Sequence, residues 1–518
     1  MGDSIWKYYK TKISQEAKNT FFWTFFAALL IHLYKFTNTL PNHDSLYNYY
    51  SDQSNIGSGR WALSFACGMS SYYDLPWMNG LMSCLFIALT AAVIVVLFKV
   101  KNPILCGLIG VMIASAPAIT ETMFFLFTAD GYMMAMFLAA MAVYFSRVEE
   151  KRLSRQLLSG ACICISCAIY QAYVSFALLL AVSYFVDILL SNCHTRQDCL
   201  KWVLRQIIIY VVSLAVYYVI WKICLKLTGT VVNDYQGISE VGKVSFSLLV
   251  TGIIGSIKAL ITYFFQWNVM EHGFTFYSVL SIIFLFFMAA GLVIAVFKSG
   301  IFKRKWAMLL LMLCLLAIVP FACMWNFVSD SVIYRPMMLQ SLCMLFVLTA
   351  VLYERWAKPV LKNLIALLLI VIVFHNAVMA NISYYYMNLC YERTYAEGMK
   401  MNDIIRDYQE EYQVEKIAIV GNRIEEVQWT FADQQTGEIA PAGRIFMLSA
   451  VLETSLLIGT DPTLSFLSAT FGMELEPVST SRLAELQELP EVKSMDCFPS
   501  KGAFAVIGDT LVIKLSEA

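Results

Sequence analysis

From Phe21 to Ala380 the chain returns again and again to apolar runs of about 18 residues or more, the length a helix needs to cross a hydrocarbon core. No other feature narrows the possible folds as much. Spans are expected near 21–37, 77–98, 103–119, 131–146, 156–172, 173–190, 202–225, 274–297, 306–324, 336–352 and 362–381, about eleven in all. Composition agrees: 14% of the 518 residues are charged and 59% hydrophobic, where a soluble chain carries about 25% charge. The reading is an α-helical polytopic membrane protein. Its formal net charge of zero and lack of a basic patch give no sign of a nucleic-acid partner.

No cleavable leader is expected, because Lys7, Lys10, Lys12 and Lys18 precede an apolar run without a small-residue cleavage site after it. Most of the fourteen cysteines, Cys162, Cys164 and Cys167 among them, fall inside apolar segments. There they read as small packed hydrophobes, not as a metal cluster.

Lys and Arg beside spans stay in the cytoplasm, so their distribution sets the orientation. One set of alternate loops holds Lys99 and Lys101, the Arg147–Arg155 cluster, Arg196 to Arg205, Lys303-Arg304-Lys305 and Arg355 to Lys362. The opposite set holds only Arg60, Lys226, Lys243, Lys258 and Arg335. The N-terminus is therefore expected inside, and the first polar loop, 38–76, outside. That loop contains LPNHDSLYNYYSDQSNIGSGRWAL. The segment 247–266 is long enough to span but carries Lys258 in its middle. If it crossed, Lys303-Arg304-Lys305 would face outward, so an interfacial or re-entrant helix is expected instead.

The catalytic bundle is expected to occupy 1–381, with 382–395 a linker and 391–518 a separate α/β domain on the outer side. The tail opens with the amphipathic YERTYAEGMKMNDIIRDYQEEY, continues as KIAIVG, has a helix-like stretch near 445–457, and ends with AFAVIG and LVIKL around Asp509. Helix periodicity followed by short β-branched runs gives this reading. IVGNR holds one glycine and is too poor for a nucleotide fingerprint.

The outer loops collect acids, including Asp44, Asp52, Asp74, Glu121 and Asp130. Avoidance of Lys and Arg explains the sign of these loops. It does not explain why Glu121 and Asp130 flank the apolar MFFLF, where a carboxylate is costly unless paired or facing water. Arg335 stands directly before a span opened by Pro336, at a depth where a guanidinium can grip a phosphate or simply anchor at the headgroups. Arg60-Trp61 has the same two readings. Tyr170 and Gln171 end a span, and can hydrogen-bond a polyhydroxylated ligand or tie two helices together. An acid to take a hydroxyl proton and arginines to hold a departing phosphate define a reaction class. It is transfer of a sugar from a lipid-linked phosphate to a hydroxyl on the outer face, with no cofactor and no metal required.

The order of these features resembles the bacterial polytopic glucosyltransferases of the O-antigen-modifying type, in the GT-C superfamily: a first span, an acidic loop ending GRW, the short Glu121–Asp130 loop, then YQ. The closing FPSKGAFAVIGDTLVIKLS is similar to that family's last motif. The resemblance implies an inverting transfer of glucose or a related hexose from undecaprenyl-phosphate-sugar to a surface glycan. The setting would be a bacterial inner membrane, with a separate flippase and donor synthase as partners. It puts the base at Asp44, where family members often show two adjacent acids and this chain has His43-Asp44. Asp52 or His43 would then assist. Glu121 and Asp130, with Trp61, Tyr170 and Gln171, would contact sugar or acceptor, and Arg60 and Arg335 the phosphate. Asp44 capping a turn begun at Ser45 is the bland alternative. Two rival functions stay open: a transporter of lipid-linked sugars, which would want broken helices and polar residues at the midplane, and a glycan polymerase or ligase.

Overall fold

The structure, a computed structural model, describes residues 13–42, 44–233, 246–265, 276–329, 332, 335–422, 430–432, 439–441, 456–457 and 459–517. It divides the chain into two units, one of residues 1–37 and 52–381, the other of residues 38–51 and 382–518. The first loop, 38–76, is thus split at 51/52.

The first unit is helical. Its helices are α1 Gln15–Thr37, α2 Pro76–Phe98, α3 Pro103–Ala114, α4 Pro117–Phe124, α5 Leu126–Phe145, α6 Leu153–Ile169, α7 Tyr173–Ser191, α8 Arg196–Thr228, α9 Phe246–Phe265, α10 Phe276–Ser299, α11 Lys305–Ala322, α12 Cys343–Trp356 and the start of α13 Pro359–Tyr412. Pro76, Pro103, Pro117 and Pro359 each open a helix, and Pro336 opens the 3-10 turn Pro336–Leu342 ahead of α12. A first-turn proline loses no helical hydrogen bond, since that N–H is unpaired anyway. At Asn102 the side chain also caps α3, accepting from Ile104 and Leu105 N–H at 2.9 and 3.2 Å.

By length and composition, ten described helices could cross a membrane, or eleven with α3 and α4 counted as one bent span. That tally includes α9 and omits the 17-residue α6. The protein is polytopic and helical. The stretch expected to cross as 103–119 is broken instead: α3 and α4 meet at a 42° bend. His32 of α1 meets the freed carbonyl of Ala114 through its Nε2, at 3.0 Å. Close packing of α1 on α3 depends on Gly110, where a Cβ would fall on the Thr24 hydroxyl.

The two ends of the bundle differ in their chemistry. At one end, ion pairs and side-chain-to-backbone bonds join the helices. Asp187 pairs with Arg355 at 2.8 Å, Lys99 with Glu149 at 3.0 Å and Lys101 with Glu16 at 3.0 Å. Glu354 accepts from the Lys101 and Asn102 amides, and Arg304 donates to the Leu189 carbonyl. The opposite end carries Arg60, where Trp221 and Tyr217 of α8 donate to the backbone of residues 56 and 59. Helix α8 therefore finishes at the Arg60 end, while α10 runs into residue 304 and finishes at the Arg355 end. The chain between them starts and stops at one end, and α9 is its only described helix. Helix α9 packs on the turn Met324–Phe327, where a Cβ on Gly252 would meet the Asn326 carbonyl.

The second unit begins inside α13, whose 54 residues include 382–395, so the expected linker is helix. Its main sheet has the order β4 Glu476–Pro477, β1 Lys416–Val420, β6 Thr510–Lys514, β5 Phe504–Ile507. The β4–β1 and β1–β6 pairs are parallel and β6–β5 antiparallel. A second, two-stranded sheet pairs β2 Thr430–Ala432 with β3 Ile439–Pro441. Alternate residues of β1 face opposite ways, as a strand requires. Ile417 and Ile419 join Phe466 and Leu467 of α14 Thr460–Phe471, whereas Ala418 and Val420 join Leu486 of α15 Thr480–Glu488 and Val492 of α16 Pro490–Lys493. Lys514 is buried at the end of β6, and its ammonium donates to the Lys493 and Met495 carbonyls and pairs with Glu517. The helix expected near 445–457 lies outside the described residues except for 456–457.

Asp187 is 4% exposed and depends on Arg355 for its compensation. Arg355→Met should lower stability by about 3–5 kcal/mol, since it strands a buried charge. The double variant Asp187→Leu/Arg355→Met should recover most of that loss, as read by thermal unfolding of the detergent-solubilised protein.

Candidate functional site

Residues 55–60 make a tight turn that closes on Gly59 at φ 83°, a left-handed conformation that glycine adopts without strain. Its carbonyls are claimed by neighbouring side chains. Gln171 Nε2 donates to Ser58 O at 2.8 Å, the Tyr217 hydroxyl to Gly59 O at 3.0 Å and Trp221 Nε1 to Ile56 O at 2.7 Å. The Gln171 amide nitrogen thus ties segments together, one of its two expected uses.

This turn holds Arg60 in place. Its guanidinium lies over the Tyr170 ring, 4.6 Å from the centroid, and Nη1 donates to the Tyr132 hydroxyl at 3.1 Å. Tyr132 and Tyr170 stack on each other at 4.6 Å. Two aromatic rings thus fix the orientation of a half-buried cation before any ligand arrives. Trp61 is half-buried, and its indole N–H is buried without an acceptor.

Three ionisable residues come together from separate elements at this end. Asp130, in the second turn of α5, is 2% exposed; its Oδ1 accepts from Gly131 N–H at 2.8 Å, while Oδ2 is buried without a hydrogen-bond donor. Asp74, just ahead of α2, lies within electrostatic range of Asp130 and likewise has one buried oxygen without a donor. Lys35, at the end of α1, is 3% exposed and in electrostatic range of Asp74. Burial pushes the Asp74 carboxyl up from 3.8 to about 6, and the Lys35 ammonium offsets part of that rise. In the sequence Asp74 is one of several outer-loop acids, and Lys35 simply closes an apolar run. Nothing local marks either one.

Glu121 lies on α4 and is fully buried, together with the rest of that short helix. The turn Pro336–Leu342 packs against α4 and α7. Arg335 precedes it; it is half-buried and its Nε is buried without an acceptor. On the turn itself Gln340 is 1% exposed, and both ends of its amide are buried without a partner. The hydroxyls of Thr120 on α4 and Ser175 on α7 are in the same condition. Each such group costs about 1–3 kcal/mol if nothing satisfies it.

The remaining expected residues lie apart from this cluster or in the other unit. Asp52 is exposed and accepts from Ser54 N–H at 3.0 Å, an ordinary turn contact. Asp44 belongs to the second unit, as the first residue of the 3-10 turn Asp44–Tyr47, which Leu46 anchors in that unit's core. At the start of that turn Asn42 Oδ1 accepts from Ser45 N–H at 2.8 Å. His43 lies outside the described residues. Among the described residues no three His, Cys, Asp or Glu side chains gather as metal ligands.

A multi-pass helical bundle with buried acids, an aromatic-held arginine and unsatisfied hydroxyls and amides at one end belongs to the class of membrane proteins that handle a polar ligand at a helix-bundle mouth. The family is specific: the model described as Glucosyl transferase GtrII matches residues 33–352, and the chain belongs to that family. It is a membrane glucosyltransferase. The match ends before the α/β part of the second unit, so FPSKGAFAVIGDTLVIKLS lies beyond it. No curated protein and no solved structure matches.

The raised Asp74 carboxyl gives a signed expectation. Between pH 3.8 and about 6 the folded chain binds more protons than the unfolded one. The contribution of Asp74 to stability therefore falls as pH rises through that window, by an amount of order 3 kcal/mol in total, and is read as the difference between wild type and Asp74→Asn. Thermal melts from pH 4 to 7 should show this decline, and Asp74→Asn should flatten it.

Proposed function

We propose that the protein moves glucose from a polyprenyl-phosphate-linked donor to a hydroxyl of a surface glycan, at the outer face of a bacterial inner membrane. The observation that carries this reading is the pair of half-buried arginines, Arg60 and Arg335, in a bundle whose family transfers glucosyl groups. A guanidinium in partial burial suits the phosphate of a lipid better than a solvated nucleotide sugar. Lys99, Lys101, Lys151, Arg304 and Arg355 favour the opposite end as cytoplasmic, which makes the Arg60 end external. In this orientation α9 lies at the outer interface, the N-terminus is inside, and the second unit is extracytoplasmic, where it would dock the acceptor.

In the proposed reaction the acceptor oxygen attacks the anomeric carbon, the bond from that carbon to the phosphate oxygen breaks, and configuration inverts. A carboxylate takes the hydroxyl proton, and arginine neutralises the departing polyprenyl phosphate. Asp44 keeps the role of base on the family resemblance, with His43 or Asp52 assisting. Glu121, Asp130, Trp61, Tyr170 and Gln171 are assigned to the sugar and acceptor. No metal is required. A separate synthase and flippase would supply the donor. The bend between α3 and α4 is the one observation that favours a transporter of lipid-linked sugar instead.

Purified protein given undecaprenyl-phosphate-glucose and acceptor glycan should release undecaprenyl phosphate. Asp44→Asn should abolish turnover while donor binding is kept. Arg335→Ala should weaken donor binding about tenfold or more, the loss of one charged contact. Full activity in Asp44→Asn would remove the base assignment, and sugar-lipid movement across vesicles without phosphate release would favour the transporter.

A further inference from the structure

Among the described buried side chains that lack a hydrogen-bond partner, Gln340 alone has two such atoms, both ends of its amide. It sits on the turn Pro336–Leu342, is 1% exposed, and neither Oε1 nor Nε2 has a hydrogen-bond partner. The helices packed on that turn add Thr120 and Ser175, both fully buried, whose hydroxyls have no partner either. Any one of these groups alone is a defect. Three of them on this turn and the two helices packed against it, with the buried Glu121 next to Thr120 in sequence and the Nε of Arg335 ahead of the turn, are polar groups in want of a partner.

The chemistry of the ligand follows from the amide. Oε1 needs a donor and Nε2 an acceptor, side by side. A phosphate offers acceptors alone at neutral pH, and a polyprenyl chain offers neither. Two adjacent hydroxyls on a sugar ring offer both at the right spacing. We propose that Gln340 is a specificity residue of the transferase, binding a vicinal hydroxyl pair of the donor hexose, with Thr120 and Ser175 completing the set. This rests on the glucosyl-lipid reading above and names the part of the site that recognises the sugar.

The test exploits the missing partners. Gln340→Met keeps the side-chain length and removes both polar ends, so the ligand-free protein should melt at a higher temperature than wild type. Its KM for undecaprenyl-phosphate-glucose should rise by about tenfold or more, and discrimination against donors deoxygenated at the contacted hydroxyls should shrink by a similar factor. In thermal-shift titrations the extra protection given by undecaprenyl-phosphate-glucose over undecaprenyl phosphate should vanish, while protection by the phosphate lipid remains. Thr120→Val should move each readout the same way and guards against one variant that misfolds. A lower melting temperature in Gln340→Met together with unchanged KM and deoxy-sugar discrimination would overturn the inference and leave the transferase reading standing. Loss of the sugar-dependent shift in Gln340→Met, in a protein whose wild type binds but never transfers, would uphold the sugar site and end the transferase reading.

Discussion

In hydrocarbon every backbone N–H and C=O must find its partner within the protein, and the first unit is organised by that demand. Helices meet it along most of their length. Two places do not: the break after Ala114 and the 3-10 turn Pro336–Leu342. At the first, His32 reaches across from α1 to meet the freed Ala114 carbonyl. Irregular backbone at membrane depth is tolerated only where it is buried in protein or borders a polar cavity. Thr120 and Glu121 sit on the helix that follows the first irregularity, and Gln340 on the second itself.

The same demand acts at both ends. At the Arg355 end, Asp187, Glu354, Glu149 and Glu16 have cationic or amide partners on neighbouring segments, although Asp187 Oδ1 keeps no donor. At the Arg60 end, Asp74, Asp130, Arg335 and Gln340 each keep a buried atom without a partner. Unsatisfied burial lowers stability, so it persists where function needs it. The arginine–tyrosine stack at Arg60 shows a cation held in position by two aromatic rings.

Much of the helical architecture was legible because the signals are local. Hydropathy marks the spans, and Pro76, Pro103, Pro117, Pro336 and Pro359 mark where segments begin. Lys258 and the downstream basic cluster argue against a crossing by 247–266, while the length and composition of α9 would allow one. The linker at 382–395 was misplaced because Asn388, Glu392 and Arg393 look like a polar connection, whereas α13 simply continues with a changed face. The Lys35–Asp74 association could not be read at all. A lysine ending an apolar run looks the same whether it snorkels to headgroups or turns inward to an acid. Gln340 was hidden within an apolar run for a related reason, since only neighbours reveal whether an amide is satisfied.

The acid singled out by resemblance and the acids singled out by geometry are different residues. Asp44 opens a turn in which Asn42 Oδ1 accepts from Ser45 N–H and Leu46 joins the core of Ile417, Ile419 and Phe466. Its local conformation therefore depends on a core built from residues far beyond the family match, in a stretch of chain that composition separates from the bundle. Asp74 and Asp130 depend instead on α1, α2 and α5. Burial holds the Asp74 carboxyl up at about 6, so near neutral pH it is largely ionised and a better proton acceptor than an ordinary carboxylate. Geometry therefore offers a second carboxylate able to act as a base beside the one that the resemblance singles out.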